Sequence, residues 1–105
     1  MAFLHRRVFY GKVGVADKLV KHLKAGEAAF AKYGLKYKYR VLTDYNSGRT
    51  DRVVWEWEVA SLPQLDADMN RVVGDAKARA DFDKWFAQLT EMIHYAEVDN
   101  FSIAG

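Results

Sequence analysis

The sequence predicts one α+β domain in which helices cover one face of an antiparallel sheet, with the element order βαββαβ. Two kinds of hydrophobic spacing alternate along the chain. Apolar residues at every second position are typical of strands, and apolar residues three or four apart are typical of helices. Most changes of spacing fall at a glycine or at a residue that caps helices. A chain of 105 residues, 50% of them hydrophobic, can bury one core, so we treat residues 1–105 as a single domain.

A glycine turn separates the first strand from the first helix. Residues 3–13 are rich in aromatic and β-branched side chains and predict strand β1, with Gly11 and Gly14 bracketing the turn. From Asp17 the apolar spacing becomes three or four, with lysines on the other face, which predicts helix α1 ending at Gly34. The apolar stripe of this helix is Leu19, Leu23, Gly26, Phe30 and Tyr33.

Two alternating runs predict a β-hairpin, with strand β2 over 37–43 and strand β3 over 53–59. Centring the turn near residues 47–48 sets a register in which opposite charges face each other on one side of the hairpin. The same register places aromatic and β-branched residues together on the reverse side. Each such cross-strand pair stabilises by about 0.2–1 kcal/mol, and a slip of one residue would put lysine beside tryptophan. The predicted pairs are Arg40–Glu56, Lys38–Glu58, Tyr39–Trp57 and Val41–Trp55.

The second half of the chain predicts an interrupted helix and a closing strand. Ser61 is a typical N-cap, followed by Pro63 in the first turn and by Gln64 at the capping-box position. Helical spacing continues to Gly74, where we expect a break, and then resumes, which predicts two helical pieces at an angle. The run 94–103 is rich in Tyr, Val, Phe and Ile and predicts strand β4. The complete order is the split βαβ arrangement of the ferredoxin-like fold.

Composition excludes several classes of protein. The chain has no cysteine, which rules out disulfides and thiol chemistry and fits a reducing compartment, so we expect a cytoplasmic location. The start of the chain lacks the order of a signal peptide, and no apolar run reaches membrane-spanning length, so we expect no membrane partner. The net charge is +2 with acids and bases interleaved, and β3 lacks the glycine of an RNA-recognition strand. We therefore expect no nucleic-acid partner.

One face of the predicted sheet has no helices to cover it and must meet either water or a partner. This face mixes charged residues of the hairpin with apolar residues. A mixed, internally charge-paired face fits the polar interior of a barrel made by two sheets, and an exposed monomeric sheet is the alternative. We expect a homodimer. The residues predicted for this face are Lys36, Lys38, Arg40, Glu56 and Glu58, together with Leu42, Val54, Val8 and Tyr10.

The element order, the broken second helix and two stretches of sequence resemble the dimeric α/β barrel superfamily. This group includes the antibiotic-biosynthesis monooxygenases, the NIPSNAP proteins and the small haem-degrading monooxygenases. The resemblance is one of pattern and spans nearly the whole chain. It implies a barrel formed by two sheets, a ligand cleft between helices and sheet, and cofactor-independent monooxygenation as one activity. No catalytic motif of any branch matches, so the catalytic residues stay unknown and no cofactor is predicted. The two stretches are Met69-Asn70-Arg71-Val72 and Asp81-Phe82-Asp83-Lys84-Trp85-Phe86.

Aromatic side chains of the hairpin and of the second helical piece should meet between sheet and helices. One interpretation is a cleft for an apolar or aromatic small molecule, with tyrosine hydroxyls and indole N–H groups orienting the ligand. The other is a core of large residues in a non-enzymatic dimerisation module that binds no ligand. A cavity beside the tryptophans would favour the first interpretation. The predicted cleft residues are Tyr37, Tyr39, Trp55, Trp57, Asn70, Arg71, Trp85 and His94.

The three histidines are weaker candidates for a site. His5 and His94 open the first and last strands and are expected to lie near each other, where imidazoles serve as general bases or bind metal or haem iron. Their spacing contains no metal-site signature, so we predict no metal and keep haem binding as a weaker alternative. His22 lies among lysines and is predicted to be solvated. The aspartates of the second helix are interpreted as surface and dipole charges.

Overall fold

The computed structural model describes residues 2–44 and 50–104. Within these ranges four strands form an antiparallel sheet in the order β2-β3-β1-β4, which places β1 and β3 at the centre. The predicted α+β, ferredoxin-like fold is confirmed, including the split of the second helix into two. The elements are β1 (Phe3–Gly11), α1 (Ala16–Lys32), β2 (Tyr39–Thr43), β3 (Arg52–Val59), α2 (Leu62–Val73), α3 (Ala76–Met92) and β4 (Ile93–Ser102).

The hairpin register is confirmed for three of its predicted pairs. Strands β2 and β3 are aligned so that opposite charges pair on one face and aromatic residues pair on the other. Strand β2 begins at Tyr39, so the predicted pair of Lys38 with Glu58 lies outside the ladder. The turn predicted near residues 47–48 falls outside the described residues. The confirmed pairs are Arg40–Glu56, Tyr39–Trp57 and Val41–Trp55.

Side chains fix the helix starts on either side of the break. The Ser61 hydroxyl accepts a hydrogen bond from the backbone N–H of Gln64 at 3.2 Å, as predicted. The Gln64 side chain donates to Asp68 at 2.9 Å, so the reciprocal half of a capping box is not formed. After Gly74, Asp75 caps α3 by accepting from the backbone N–H of Ala78 at 3.0 Å. The break therefore results from a new N-cap that begins a second helix.

The hydrophobic core lies between the helices and one face of the sheet. The helices stop short of β4, whose residues from His94 to Ser102 are all exposed. Across the described part of the chain, no helix is both long and apolar enough to span a membrane. The buried residues of this core are Phe9, Leu19, Leu23, Phe30, Leu35, Val53, Trp55, Trp57, Val59, Leu65, Val72, Ala78, Phe82, Trp85 and Leu89.

The face of the sheet that the helices leave open carries a buried carboxylate. Glu56 is only 1% exposed and accepts hydrogen bonds from Arg6 Nε at 2.9 Å and from Arg40 Nε at 2.7 Å. Burial by itself would raise the pKa of the Glu56 carboxyl, but the bonds from Arg40 and Arg6 outweigh it and lower the pKa. Of the two predicted charge pairs on this face, Arg40–Glu56 is therefore present, and Arg6 of β1 adds a second arginine to it.

Candidate functional site

A cavity of about 360 Å³ lies between the sheet and the helices. Its floor is Phe9 of β1 with Trp55 and Trp57 of β3, and Phe30 of α1 closes one side. With Trp85 of α3, all three tryptophans of the sequence line this space. A core of large residues that fit together would leave no such space, so the cavity favours the cleft interpretation. The remaining apolar wall residues are Met69, Val72, Val73, Phe82 and Phe86.

Local sequence patterns explain how the walls of the cavity are built. The alternation of β3 turns every second side chain toward the helices, which places its two tryptophans side by side with ring centroids 5.0 Å apart. Spacings of three and four along α3 bring Phe82, Trp85 and Phe86 to the same side of the helix. The Phe30 ring stacks on Trp55 at 5.4 Å and joins α1 to this wall.

Trp85 is held in place by α1. Its indole N–H donates to the backbone oxygen of His22 at 2.8 Å, and the His22 Nε2 bonds the backbone oxygen of Trp85 at 2.8 Å. The two rings stack with centroids 4.7 Å apart. Gly26 permits this approach, since a Cβ atom there would lie 2.8 Å from the Trp85 ring. The prediction that His22 is solvated is wrong, because its position on α1 faces the one tryptophan of α3.

Five of the eight residues predicted for the cleft do not line this cavity. Tyr37 and Tyr39 belong to the same aromatic cluster, but their hydroxyls donate to Asp68 and to the backbone oxygen of Leu35. Burial, as the main cause in both, raises the pKa of Tyr37 and the pKa of Tyr39 above the ordinary value. Both tyrosines therefore stay protonated and serve as internal hydrogen-bond donors. Trp55, Trp57 and Trp85 are the three predicted residues that the structure brings together.

The polar residues predicted beside the helix break lie elsewhere. Arg71 is exposed and donates to the backbone oxygen of Tyr33 at 3.3 Å, so it joins α2 to the end of α1. Asn70 is exposed and is not among the residues around the cavity. His94 borders a separate groove at the start of β4, next to Asp51.

The expectation that His5 and His94 are neighbours is wrong. Strands β1 and β4 are antiparallel, so His5 pairs with Asn100, whereas Ile93 pairs with Gly11 at the far end of the ladder. Six residues of extended chain separate the two ends by about 20 Å. Across 2–44 and 50–104, no group of three or more histidine, aspartate or glutamate residues is arranged to hold a metal ion.

His5 is buried in a polar network beneath the helices. It is 4% exposed, and its Nδ1 bonds the Asn100 side-chain oxygen at 2.7 Å. Because that oxygen is an acceptor, Nδ1 carries the proton and Nε2 is free to accept the hydrogen bond that Arg7 Nε donates at 3.1 Å. Burial is the main cause that lowers the pKa of His5 below its ordinary value. The imidazole is therefore neutral at physiological pH.

Sequence reasoning missed the charged residues that border the cavity: Arg7, Arg79 and Asp83. Arg7 lies on the helix-covered face of β1 and is half-buried, whereas Arg79 and Asp83 are exposed at the rim on α3. The sequence does contain a pattern that places Arg7 near the cleft. If Val8 and Tyr10 belong to the open face, as predicted, strand alternation places Arg7 beneath the helices. A cation at such a position is unusual and could have been singled out.

Fold and cavity together define a ferredoxin-like α+β protein with an apolar cleft between sheet and helices. Its sequence matches no protein-family model and no curated protein. Its structure is similar to that of an uncharacterized NIPSNAP domain protein from Burkholderia xenovorans, with TM-score 0.76 and 17% identity over 97% of this chain and 94% of that one. The similarity to a NIPSNAP family protein from Agrobacterium tumefaciens has TM-score 0.76 and 16% identity over 99% and 94% of the two chains.

The same fold is found in an oxygenase. SnoaB, a cofactor-independent oxygenase from Streptomyces nogalater, is similar with TM-score 0.70 and 12% identity over 99% of this chain and 94% of that one. At these identities the likeness shows the fold alone. The chain thus has the fold of these NIPSNAP proteins and of this oxygenase, two of the groups that the sequence resembles.

Proposed function

We propose that this protein binds an apolar or aromatic small molecule in the cavity between sheet and helices. The observation that carries the proposal is the cavity itself, about 360 Å³ in volume and walled by all three tryptophans. That volume is at the lower end of the range of about 300–1,000 Å³ typical of ligand pockets. A ligand that fills such a space removes apolar surface from water and gives the aromatic walls new dispersion contacts.

Replacing Val73 by phenylalanine is expected to block the mouth of the cavity. Val73 lines the cavity and is 55% exposed, so a larger side chain there can be accommodated without overpacking the core. We expect Val73→Phe to weaken binding of the neutral probe N-phenyl-1-naphthylamine by about tenfold, because part of its apolar contact area is lost. The measurement is the rise in probe fluorescence on titration with protein.

The matched control is Val13→Phe. Val13 is 96% exposed in the turn after β1 and lies away from the cavity. This variant should bind the probe as the unmodified protein does. If the probe does not bind, or if both variants bind it equally well, the cavity is not a ligand site, and a non-enzymatic module without a ligand becomes the better description.

We extend the proposal to cofactor-independent oxygenation of the bound molecule. Its support is the likeness in fold to SnoaB, together with apolar walls that separate a bound substrate from bulk water. The test is oxygen consumption in the presence of an electron-rich phenol such as 2-naphthol, without added metal or flavin. Oxygen uptake that Val73→Phe suppresses would support oxygenation. Binding of the phenol without uptake would exclude oxygenation of that compound and leave binding as the function.

We also propose that two chains pair through the open face of the sheet. Leu42, Tyr95 and Phe101 are 38%, 51% and 47% exposed on that face, which also carries the buried Glu56. Exposed apolar side chains around a buried charge network favour a protein interface over a solvated surface. Pairing would also cover part of β4, which the helices leave uncovered.

Light scattering should give a mass twice the 12.0 kDa of one chain. Phe101→Glu is expected to shift the equilibrium strongly toward monomer, because a carboxylate would replace an apolar ring in the interface and its desolvation is costly even beside Arg6. Val13→Glu, at a 96% exposed position, adds the same charge and should leave the mass unchanged. A monomer mass for the unmodified protein over a wide range of concentrations would contradict pairing.

A further inference from the structure

The feature that the proposed function leaves unexplained is the charge of Arg7 at the wall of an otherwise apolar cavity. Arg7 pairs with Trp55 on one side and with Val98 on the other, within the sheet. Strand alternation turns its side chain toward the helices, and it lines the cavity with Phe9 and Trp57. A guanidinium is always charged and is costly to keep beside apolar surface without a counter-ion.

No acid of the described residues neutralises this charge. In the same part of the chain, the half-buried Arg6 and Arg52 form ion pairs with Glu56 and Asp44 at 2.9 and 2.7 Å. For Arg7, no carboxylate oxygen of residues 2–44 and 50–104 lies within 4.0 Å. Its rim neighbours, Arg79 and Asp83, contribute one charge of each sign, so the groups around the cavity carry a net charge of +1.

The hydrogen bonds of Arg7 are also incomplete. A guanidinium has five N–H donors, and the structure gives a partner to one of them, Nε, which donates to the neutral His5 at 3.1 Å. Among the described residues no acceptor is assigned to the four hydrogens of the two terminal nitrogens. Asn100 fixes the His5 ring. Because Arg7 Nε is bonded to that ring, the terminal nitrogens of Arg7 are also held in one orientation. The donors that remain have the planar, forked geometry that carboxylates accept in two parallel bonds.

The two indole N–H groups in the floor of the cavity are not available to a ligand. That of Trp55 donates to the Glu27 carboxylate at 3.2 Å. Trp57 lines the cavity, but its indole N–H is buried and has no hydrogen-bond acceptor within the described part of the chain. Because this atom has almost no exposed surface, a ligand cannot reach it in this conformation. Arg7, which lines the cavity next to this floor, is therefore the group there that can fix the orientation of a bound molecule.

We propose that the ligand of this cavity is an apolar acid, whose carboxylate binds the free N–H groups of Arg7 and whose hydrocarbon part lies against the tryptophans. This inference rests on the proposed function and adds to it the charge and orientation of the ligand. The positive charge excludes cationic ligands, because an ammonium group would meet the guanidinium in a space with few other polar groups. A neutral ligand of the same shape fits the walls but leaves the guanidinium unpaired.

The test compares three probes that share one hydrocarbon chain: octanoate, octanol and octylammonium. All three tryptophans line the cavity and none of the probes absorbs in their range, so tryptophan fluorescence reports binding directly. We expect octanoate to bind about ten- to a hundredfold more tightly than octanol, as charge-assisted hydrogen bonds provide. Octylammonium should bind more weakly than octanol.

Arg7→Gln should abolish the preference for octanoate and leave the affinity for octanol within about threefold, because the apolar walls are unchanged. Arg7→Lys keeps the positive charge but lacks the two parallel N–H donors of a guanidinium, so it should retain part of the preference for octanoate over octanol. Lys84→Gln removes the same charge from α3 outside the cavity and should leave the preference intact. Circular dichroism of each variant establishes that it is folded.

The two proposals fail in different ways. If octanol and N-phenyl-1-naphthylamine bind, and octanoate binds no more tightly than octanol, the acid specificity is overturned while the cavity remains a ligand site. The same holds if Arg7→Gln and Lys84→Gln weaken octanoate equally, since the effect is then one of overall charge. If the neutral probe and octanol both fail to bind, the proposed function itself is overturned.

Discussion

Trp85→Ala is expected to lower the free energy of unfolding by about 3–5 kcal/mol. Trp85 is 8% exposed, stacks on His22 and donates its indole N–H to the backbone oxygen of His22 on α1. Its removal would enlarge the existing cavity and separate α1 from α3. Denaturant unfolding, followed by circular dichroism, measures the change. Because a loss of this size is a large part of the stability of a small domain, Trp85→Phe provides a second variant that should fold.

Two comparisons make the Trp85 prediction specific. Trp85→Phe keeps a ring on His22 but loses the indole hydrogen bond, so we expect a loss of about 1–2 kcal/mol. Phe86→Ala, on the same helix and the same cavity but 45% exposed, should cost about 1 kcal/mol, because less apolar area is buried. Similar losses for Trp85→Ala and Phe86→Ala would contradict the role assigned to Trp85.

Glu56→Gln is expected to lower the free energy of unfolding by about 2 kcal/mol at neutral pH. The Glu56 carboxylate is 1% exposed and accepts from two arginines. The loss is limited because Arg40 and Arg6 are 65% and 33% exposed and stay hydrated without their partner. Glu58→Gln, at an exposed position of the same strand, should change stability by less than about 0.5 kcal/mol.

The contribution of Glu56 to the free energy of unfolding is expected to depend on pH. The pKa of Glu56 is lower in the folded protein than its ordinary value of 4.5, so the stabilisation by its charge is fully present above that value. It is lost as the pH falls through the lowered pKa, because the folded state then takes up the proton. The difference between the unmodified protein and Glu56→Gln should therefore shrink below about pH 4.5. Unfolding at a fixed protein concentration across this range measures it, and a constant difference would contradict the assignment.

Much of the fold could be predicted because its signals are local. Alternation with a period of two, helical spacing, the Ser61 cap and Gly74 each act within a few residues, and together they define the six predicted segments. The hairpin register was predictable for the same reason, since a slip of one residue would bury lysine against Trp57. The residue at which β2 begins was not predictable, because nothing in the local pattern excludes Lys38 from the ladder.

The candidate site was predicted only in part. The three tryptophans follow from strand and helix spacing, which places them between the layers. The prediction of Asn70 and Arg71 rests on their position beside the helix break, but the direction in which a helical side chain points depends on how α2 packs. Arg7 is not among the predicted cleft residues, although alternation along β1 places it beneath the helices. That no carboxylate of the described residues lies within ion-pair distance of Arg7 depends on the strand order and the helix packing.

The sequence by itself determined the element order, the register of the hairpin and the aromatic layer beneath the helices, since each depends on residues close together in the chain. Only the tertiary structure decided that His5 lies beside Asn100 rather than near His94, because the pairing of β1 with β4 joins the two ends of the chain. It also decided that the aromatic layer encloses a cavity, with Arg7 at its edge. Whether large side chains close-pack or leave space depends on the distance between layers, which no local pattern fixes.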